Sequence, residues 1–291
     1  MGRSRYYPDI IPLDDQTIQA ECGPMRLTIQ TLENGRPGAD LARRAAVKSV
    51  DYLASVADSW QVLCQPVSRI KKIPEDRLAR RMVDSARLIG DDDLTPMATV
   101  AGTISDAVAD WIYRHGGTRV IVDNGGDIAI RLVEAESVTV GVKTHIRRTD
   151  INRVLTLDAT RSTWGITTSG FGGRSFTQGI ASSVTVVADR ASPADAAATA
   201  IANACTVEDD TIVRIPAEQI DPNTDLAGIA VTVKIGRLSS EKKQIALDRA
   251  YLKATMLEEK NVILGTLIAL DDQTIVTPGL KSLKLGDVLS G

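Results

Sequence analysis

Residues 120–130 read VIVDNGGDIAI. Two apolar, β-branched arms flank Asp123-Asn124-Gly125-Gly126-Asp127, and an Asn-Gly pair between such arms is the strongest short-range hairpin signal. A chain that reverses here commits this region to antiparallel sheet. The hairpin needs only Asn124-Gly125, so the second glycine and the two flanking carboxylates are surplus to it. Carboxylates beside an apolar sheet are costly unless they bond to backbone or to a ligand. The segment is therefore either a plain turn or the wall of a site.

The surrounding pattern mixes strands and helices. Residues 17–35 alternate apolar and polar about Cys22-Gly23-Pro24, which predicts two strands joined by a turn. Residues 39–60 place Leu41, Ala45, Val47, Leu53 and Val56 at near-helical spacing. Residues 76–88 continue in helical style up to Gly90, and an Ala-rich helix is expected from about Pro96 to His115-Gly116-Gly117. Strands are expected over 137–144, 153–159 and 164–170. A β-branched strand over 181–191 leads into a helix over 192–207, with Ser192 as cap, Pro193 at the first helical position and Asp195 in the first turn. Beyond residue 222 come a strand (230–239), a charged amphipathic helix (240–260) and a hairpin (262–278). Strict βαβ alternation is absent, which favours an α+β fold over a doubly wound sheet. The 291 residues suit one domain, 1–291, or two closely packed lobes.

Composition narrows the function. Aromatic residues are only 3%, so a site must rely on backbone and small polar groups. Thirty-four Lys and Arg against 37 Asp and Glu leave a net charge of −3, which offers no support for nucleic-acid binding, a function that usually needs a basic face. The pairs Lys71-Lys72, Arg147-Arg148 and Lys242-Lys243 read as solvated surface. Three scattered cysteines show no CxxC spacing, so neither zinc nor a disulfide framework is indicated and reduced thiols in the cytoplasm are expected. The N-terminus lacks a signal-peptide core, and no apolar run is long enough for a membrane span.

Three more segments could carry chemistry. In PMATVAGTISDAV (96–108), the small residues Ala101 and Gly102 suit either a phosphate on free helix N–H groups or close helix packing. In TTSGFGGRSF (167–176), Thr168, Ser169, Gly170 and Ser175 offer hydroxyls and a pliable backbone, and Arg174 offers a charge. The alternative there is a mobile loop. In ADAAAT, Asp195 and Thr199 stand at i and i+4, so their oxygens share one helix face where a hard cation such as Mg²⁺ could sit. The plain alternative is an Asp in the first turn and a Thr in the helix body.

Taken in order, these four pieces resemble the ApbE family, flavin transferases that move FMN from FAD onto a Thr or Ser of a target protein. The resemblance covers roughly residues 95–205. Its pieces are the small-residue helix about Ala98–Asp110, the turn Asp123-Asn124-Gly125-Gly126-Asp127, the turn Thr168-Ser169-Gly170, and the helix motif from Ala194 to Thr199. It implies an ApbE-like, T-fold-related architecture of mixed sheets packed with helices. It also implies a flavin nucleotide, FAD or FMN, lying against Ala101, Gly102, Asp123, Gly125, Gly126, Thr168, Ser169, Gly170, Arg174 and Ser175. Mg²⁺ would be held by Asp195 and Thr199. Two departures stand out. The family's Lys-Gly pair is Ala101-Gly102 here, and its His-Ile-x-Asp-Pro segment is replaced by GGRSFTQGIASS. The chain looks closest to a stand-alone branch of ApbE-related proteins, without iron–sulfur clusters. Three readings follow. The first is a flavin or similar planar-anion binder of unassigned reaction, with Asp127 as base if desolvated. The second is a Mg²⁺-dependent FMN transferase, and the third is an accessory protein that has lost the chemistry. The partner expected is a small molecule, and the Ala- and Gly-rich helix faces suggest a homodimer.

Overall fold

The computed structural model describes residues 7–146, 151–283 and 285–287, so Arg147-Arg148 lies outside the described residues. In chain order the first elements are β1 (Asp9–Pro12), β2 (Thr17–Cys22), β3 (Met25–Glu33), β4 (Arg36–Pro37), α1 (Ala39–Asp58), α2 (Trp60–Leu63), α3 (Arg77–Ile89) and α4 (Val100–Arg114). There follow β5 (Arg119–Asp123), β6 (Ile128–Leu132), β7 (Ser137–Val142), β8 (Arg153–Asp158), β9 (Thr163–Ser169), β10 (Ser183–Ala188) and α5 (Ala191–Ala204). The last are β11 (Val213–Pro216), β12 (Ala230–Lys234), α6 (Ser240–Glu259), β13 (Gly265–Leu270), β14 (Gln273–Val276), α7 (Pro278–Ser282) and β15 (Leu285–Asp287). The chain forms two compact units, Met1–Val138 with Asp158–Thr167 and Ala188–Asp195, and Thr139–Leu157 with Thr168–Val187 and Ala196–Gly291.

The first unit is built on antiparallel strands in the order β1-β2-β3-β5-β6-β9, with β4 paired to β3. Alternation decides which face is covered. Met25, Leu27 and Ile29 of β3 and Val120 and Val122 of β5 are buried, while Arg26 between them is exposed. Helix α1 packs on β2, β3 and α4, and α4 packs on β5 and β6. The buried stripe of α1 is Leu41, Ala45, Ser49, Val50, Leu53 and Val56. Val47, expected within that stripe, is 57% exposed. It follows Ala45 by two residues, which turns it about 200° round the helix. Helix α3 starts at Asp76, whose Oδ1 accepts N–H bonds from Leu78 and Ala79, both 2.9 Å, and stops at Gly90 with φ 77°. The Ala-rich helix begins at Val100, later than expected, because Pro96–Thr99 form a 3₁₀ turn.

The second unit holds the antiparallel strand run β10-β13-β14 and two small sheets, β15-β8-β7 and β11-β12. Every residue of β13 is buried, which accounts for its apolar stretch Leu267–Leu270 and fits its place between β10 and β14 with α6 and α7 packed against it. Helix α6 is opened by Ser239, whose Oγ accepts the Lys242 N–H, and buries Ala246, Leu247, Ala250, Ala254 and Leu257. The strands β1, β4, β11 and β15 were not among those expected from the pattern. Among the described residues no helix is long and apolar enough to cross a membrane.

Candidate functional site

The first unit brings two helix N-termini together. The Gly102 N–H in the first turn of α4 donates to Asp195 Oδ2 at 2.9 Å. In return, Asp106 of α4 accepts the Ser192 N–H, in the first turn of α5, on its Oδ2 at 3.0 Å. Each helix therefore caps the other with a carboxylate, which suits the positive end of each helix dipole. Ser192, expected as the cap of its own helix, lies inside α5. Its hydroxyl is 2.5 Å from Thr103 Oγ1 and donates to Ser85 Oγ at 2.8 Å. The approach is close because α4 has a glycine there. A Cβ on Gly102 would sit 2.3 Å from the Ala191 carbonyl oxygen. Burial pushes the Asp195 carboxyl up to about 7, against the N–H groups of Gly102 and Ala101 that favour its charged form.

The glycine turn sits on the same helix end. Strands β5 and β6 pair from Asp123 with Ile128, so the loop contains the four residues 124–127, not the Asn-Gly pair alone. Gly125 and Gly126 carry the positive φ values, 70° and 107°. Asp123 is explained by the turn, since its Oδ1 accepts the Gly126 N–H at 2.7 Å. The Asp127 carbonyl accepts the Asn124 N–H at 3.1 Å and the Ser105 hydroxyl at 2.7 Å. Asn124 is 3% exposed and donates from Nδ2 to the Ala101 carbonyl at 3.5 Å. The back of the turn is thus tied to α4, while Gly125 is exposed and a Cβ on Gly126 would meet nothing within 4 Å.

Beneath lies a buried charge cluster that pattern reading did not reveal. Arg131 of β6 is 1% exposed and donates to Asp106 Oδ1 at 2.7 Å and to Asp110 Oδ1 at 2.8 Å. Arg190 and Arg81 also reach Asp110, at 2.6 and 3.3 Å. Burial alone would raise the Asp110 carboxyl, but Arg131, Arg190 and Arg81 together hold it below its ordinary value.

Ala101, Gly102, Asp123, Gly125, Gly126, Asp127 and Asp195 are thus gathered in the first unit, joined by Asn124, expected only as a turn residue, and by Ser105, which was not expected. The only sequence signal for Ser105 was its place beside residues already singled out. In the second unit, the Thr168 hydroxyl is 2.9 Å from that of Thr185. Gly170 has φ 151° and the Phe171 N–H donates to the Ala181 carbonyl at 2.7 Å, so the loop has a defined turn. Ser169 is half-buried, and Arg174 and Ser175 are exposed. Thr199 follows Asp195 by four residues on α5 and is half-buried. Among the described residues no three His, Cys, Asp or Glu side chains come together as a metal cluster. A cation at Asp195 would draw its other ligands from hydroxyl and carbonyl oxygens.

A family model described as AbpE bacteria matches residues 10–276. The chain belongs to this AbpE family. Its place in the wider ApbE-like superfamily, drawn from four short motifs, therefore extends over nearly the whole chain. Among its relatives, a UPF0280 protein of Methanopyrus kandleri is 35% identical over 199 residues, covering 66% of this chain and 77% of the relative. A UPF0280 protein of Methanosarcina barkeri is 35% identical over 154 residues, or 53% of this chain. That match spans 58% of the Methanosarcina barkeri protein, less than two thirds of its length. Among solved structures, the apo form of the Pseudomonas stutzeri flavinyl transferase ApbE superposes with a TM-score of 0.51 at 12% identity, covering 97% of this chain and 99% of that one. At that identity the likeness is one of fold. It agrees with the α+β, ApbE-like architecture expected from the sequence.

Proposed function

We propose that this AbpE-family chain binds a flavin nucleotide, FAD or FMN, on the glycine turn of its first unit. The observation that carries this reading is the asymmetry of the turn. Asp123, Asn124, Ser105 and Ala101 hold its back, while the Gly125-Gly126 backbone has an open front. Positive φ accounts for both glycines, and because neither carries a side chain the anchored turn offers a bare backbone face to a ligand. The Pseudomonas stutzeri protein of like fold is a flavinyl transferase, which makes flavin the first ligand to test. Asp127 is proposed as a base beside the bound ligand. Thr168, Ser169, Gly170, Arg174 and Ser175 are proposed as ligand contacts on their own chemistry, with Arg174 suited to a phosphate or carboxylate.

Mg²⁺ belongs to the same proposal. A carboxyl raised to about 7 by burial is one whose charge lacks full compensation, and a cation would supply it. Asp195 and Thr199 would hold the ion, which would neutralise charge on a pyrophosphate. A cytoplasmic homodimer completes the reading, on cysteine usage and the Ala- and Gly-rich helix faces.

Titration of the full chain with FAD and with FMN, followed by flavin fluorescence and by melting temperature, tests the proposal. Saturable binding is expected, tighter with Mg²⁺. Gly126→Val is expected to weaken binding with or without the ion, and Asp195→Ala only the Mg²⁺-dependent part. Lack of response to either flavin overturns the reading.

A further inference from the structure

We infer that the buried Arg131 cluster is a positioning device that seats the start of α5 on α4 and so fixes where Asp195 presents its carboxylate. Asp106 and Asp110 stand one helical turn apart on α4, and the guanidinium of Arg131 reaches both, through Nη2 and Nε. Each carboxylate also bonds a residue at the entry to α5, Asp110 through a side chain and Asp106 through the backbone. Asp110 Oδ1 accepts from Arg190 at 2.6 Å, and Asp106 Oδ2 accepts the Ser192 N–H at 3.0 Å. Ala191 stands between Arg190 and Ser192 in the chain and is fully buried. Two glycines make the slot it occupies, since a Cβ on Gly165 would lie 2.1 Å from the Arg190 carbonyl carbon and one on Gly102 would lie 2.3 Å from the Ala191 oxygen. Three residues beyond Ser192, Asp195 meets the Gly102 N–H.

Stability alone is a poor reason for such a cluster. Buried ion pairs can often be replaced by apolar residues without loss, whereas their directionality is hard to replace. Here both carboxylate oxygens of Asp106 are used directionally: one takes the Arg131 guanidinium, the other takes a single backbone N–H. Arg131 acts through Asp106 and Asp110 and needs no contact with a ligand. The consequence for ligand binding rests on the role proposed above for Asp195, but the geometric claim does not.

Residue-resolved amide exchange on the full chain tests it, with flavin titration alongside. Arg131→Lys keeps a charge and loses the fork. Asp106→Asn keeps an acceptor for Ser192 and loses the charge. In each, exchange at Gly102 and Ser192 should rise about tenfold or more, the effect of losing a charge-assisted hydrogen bond, while amides of β2 and β3 keep their protection. Mg²⁺-dependent FAD affinity should fall in step, with Mg²⁺-free affinity unchanged. If Arg131→Lys does not fold, Asp106→Asn carries the test. Unchanged exchange at Gly102, or a rise shared equally by β2 and β3, overturns the inference. A native chain that binds no flavin would overturn the proposed function and leave the exchange result to decide the positioning claim.

Discussion

At the scale of single residues, Gly102 shows how a ligand-like motif can carry a packing role. Its smallness could serve a phosphate or a neighbouring helix, and the structure places the Ala191 carbonyl where its Cβ would be. Gly102→Ala should therefore destabilise the chain by about 1–3 kcal/mol through overpacking, read as a lower urea midpoint with unchanged slope. An unchanged midpoint would mean that α5 can shift away at no cost. Asp195 gives a second prediction. Its folded carboxyl titrates near 7 against an ordinary 3.8, so the folded chain holds that proton more tightly than the unfolded chain does. The stability linked to it is full below a pH of about 4 and is lost as pH rises through about 7. Asp195→Asn should flatten the decline in urea midpoint across that window relative to the native chain. Parallel declines in the two proteins would show that Asp195 is not the group responsible. The partners of Asp123, Asn124 and Asp195 were not legible in the string, because each bond but the Asp123–Gly126 one within the turn joins residues far apart in sequence or uses a backbone group.

At the scale of elements, local signals were legible and tertiary ones were not. The start of α3 is local, since Asp76 satisfies two N–H groups within three residues of itself. Asp76→Ala should cost about 1 kcal/mol, seen as a small drop in melting temperature with the transition still cooperative. A neutral result would mean that water caps α3 equally well. The start of α5 is different. Ser192 and Pro193 have the residue types of a self-capped helix, yet the cap comes from Asp106, 86 residues earlier in the chain. The hairpin at 119–132 was legible as a hairpin, but its loop was read two residues too short. Asn-Gly chemistry pointed to a minimal turn, whereas ties from Asn124 and Asp127 to α4 favour four residues with both glycines at positive φ. Strands β1 and β4 are short and mostly exposed, so they leave little alternation to read.

At the scale of the whole molecule, motifs in about a third of the chain pointed to the family, while the family match runs over residues 10–276. The remainder carries only the periodicity of strands and helices, which many α+β folds share. The segment that departs from the transferase pattern decides the last prediction. Where those enzymes carry His-Ile-x-Asp-Pro, residues 172–183 of this chain contain no His, Asp or Pro. Part of that segment is committed to packing against the end of α5. The Gln178 N–H donates to Asn203 Oδ1 at 3.0 Å, the Ile180 N–H donates to the Cys205 carbonyl at 2.8 Å, and a Cβ on Gly179 would lie 1.8 Å from the Ala202 oxygen. Flavin transfer from FAD breaks the pyrophosphate, joins the FMN phosphate to a hydroxyl and expels AMP. A segment without an acid–base side chain, fixed to a helix end, gives no obvious help to the proton movements of that step. Incubation of the chain with FAD and Mg²⁺, followed by chromatography of the nucleotides, should therefore recover FAD intact from a protein that binds it. Release of AMP together with flavin that stays on protein after denaturation would instead establish transfer, and would place its acid–base groups outside this segment.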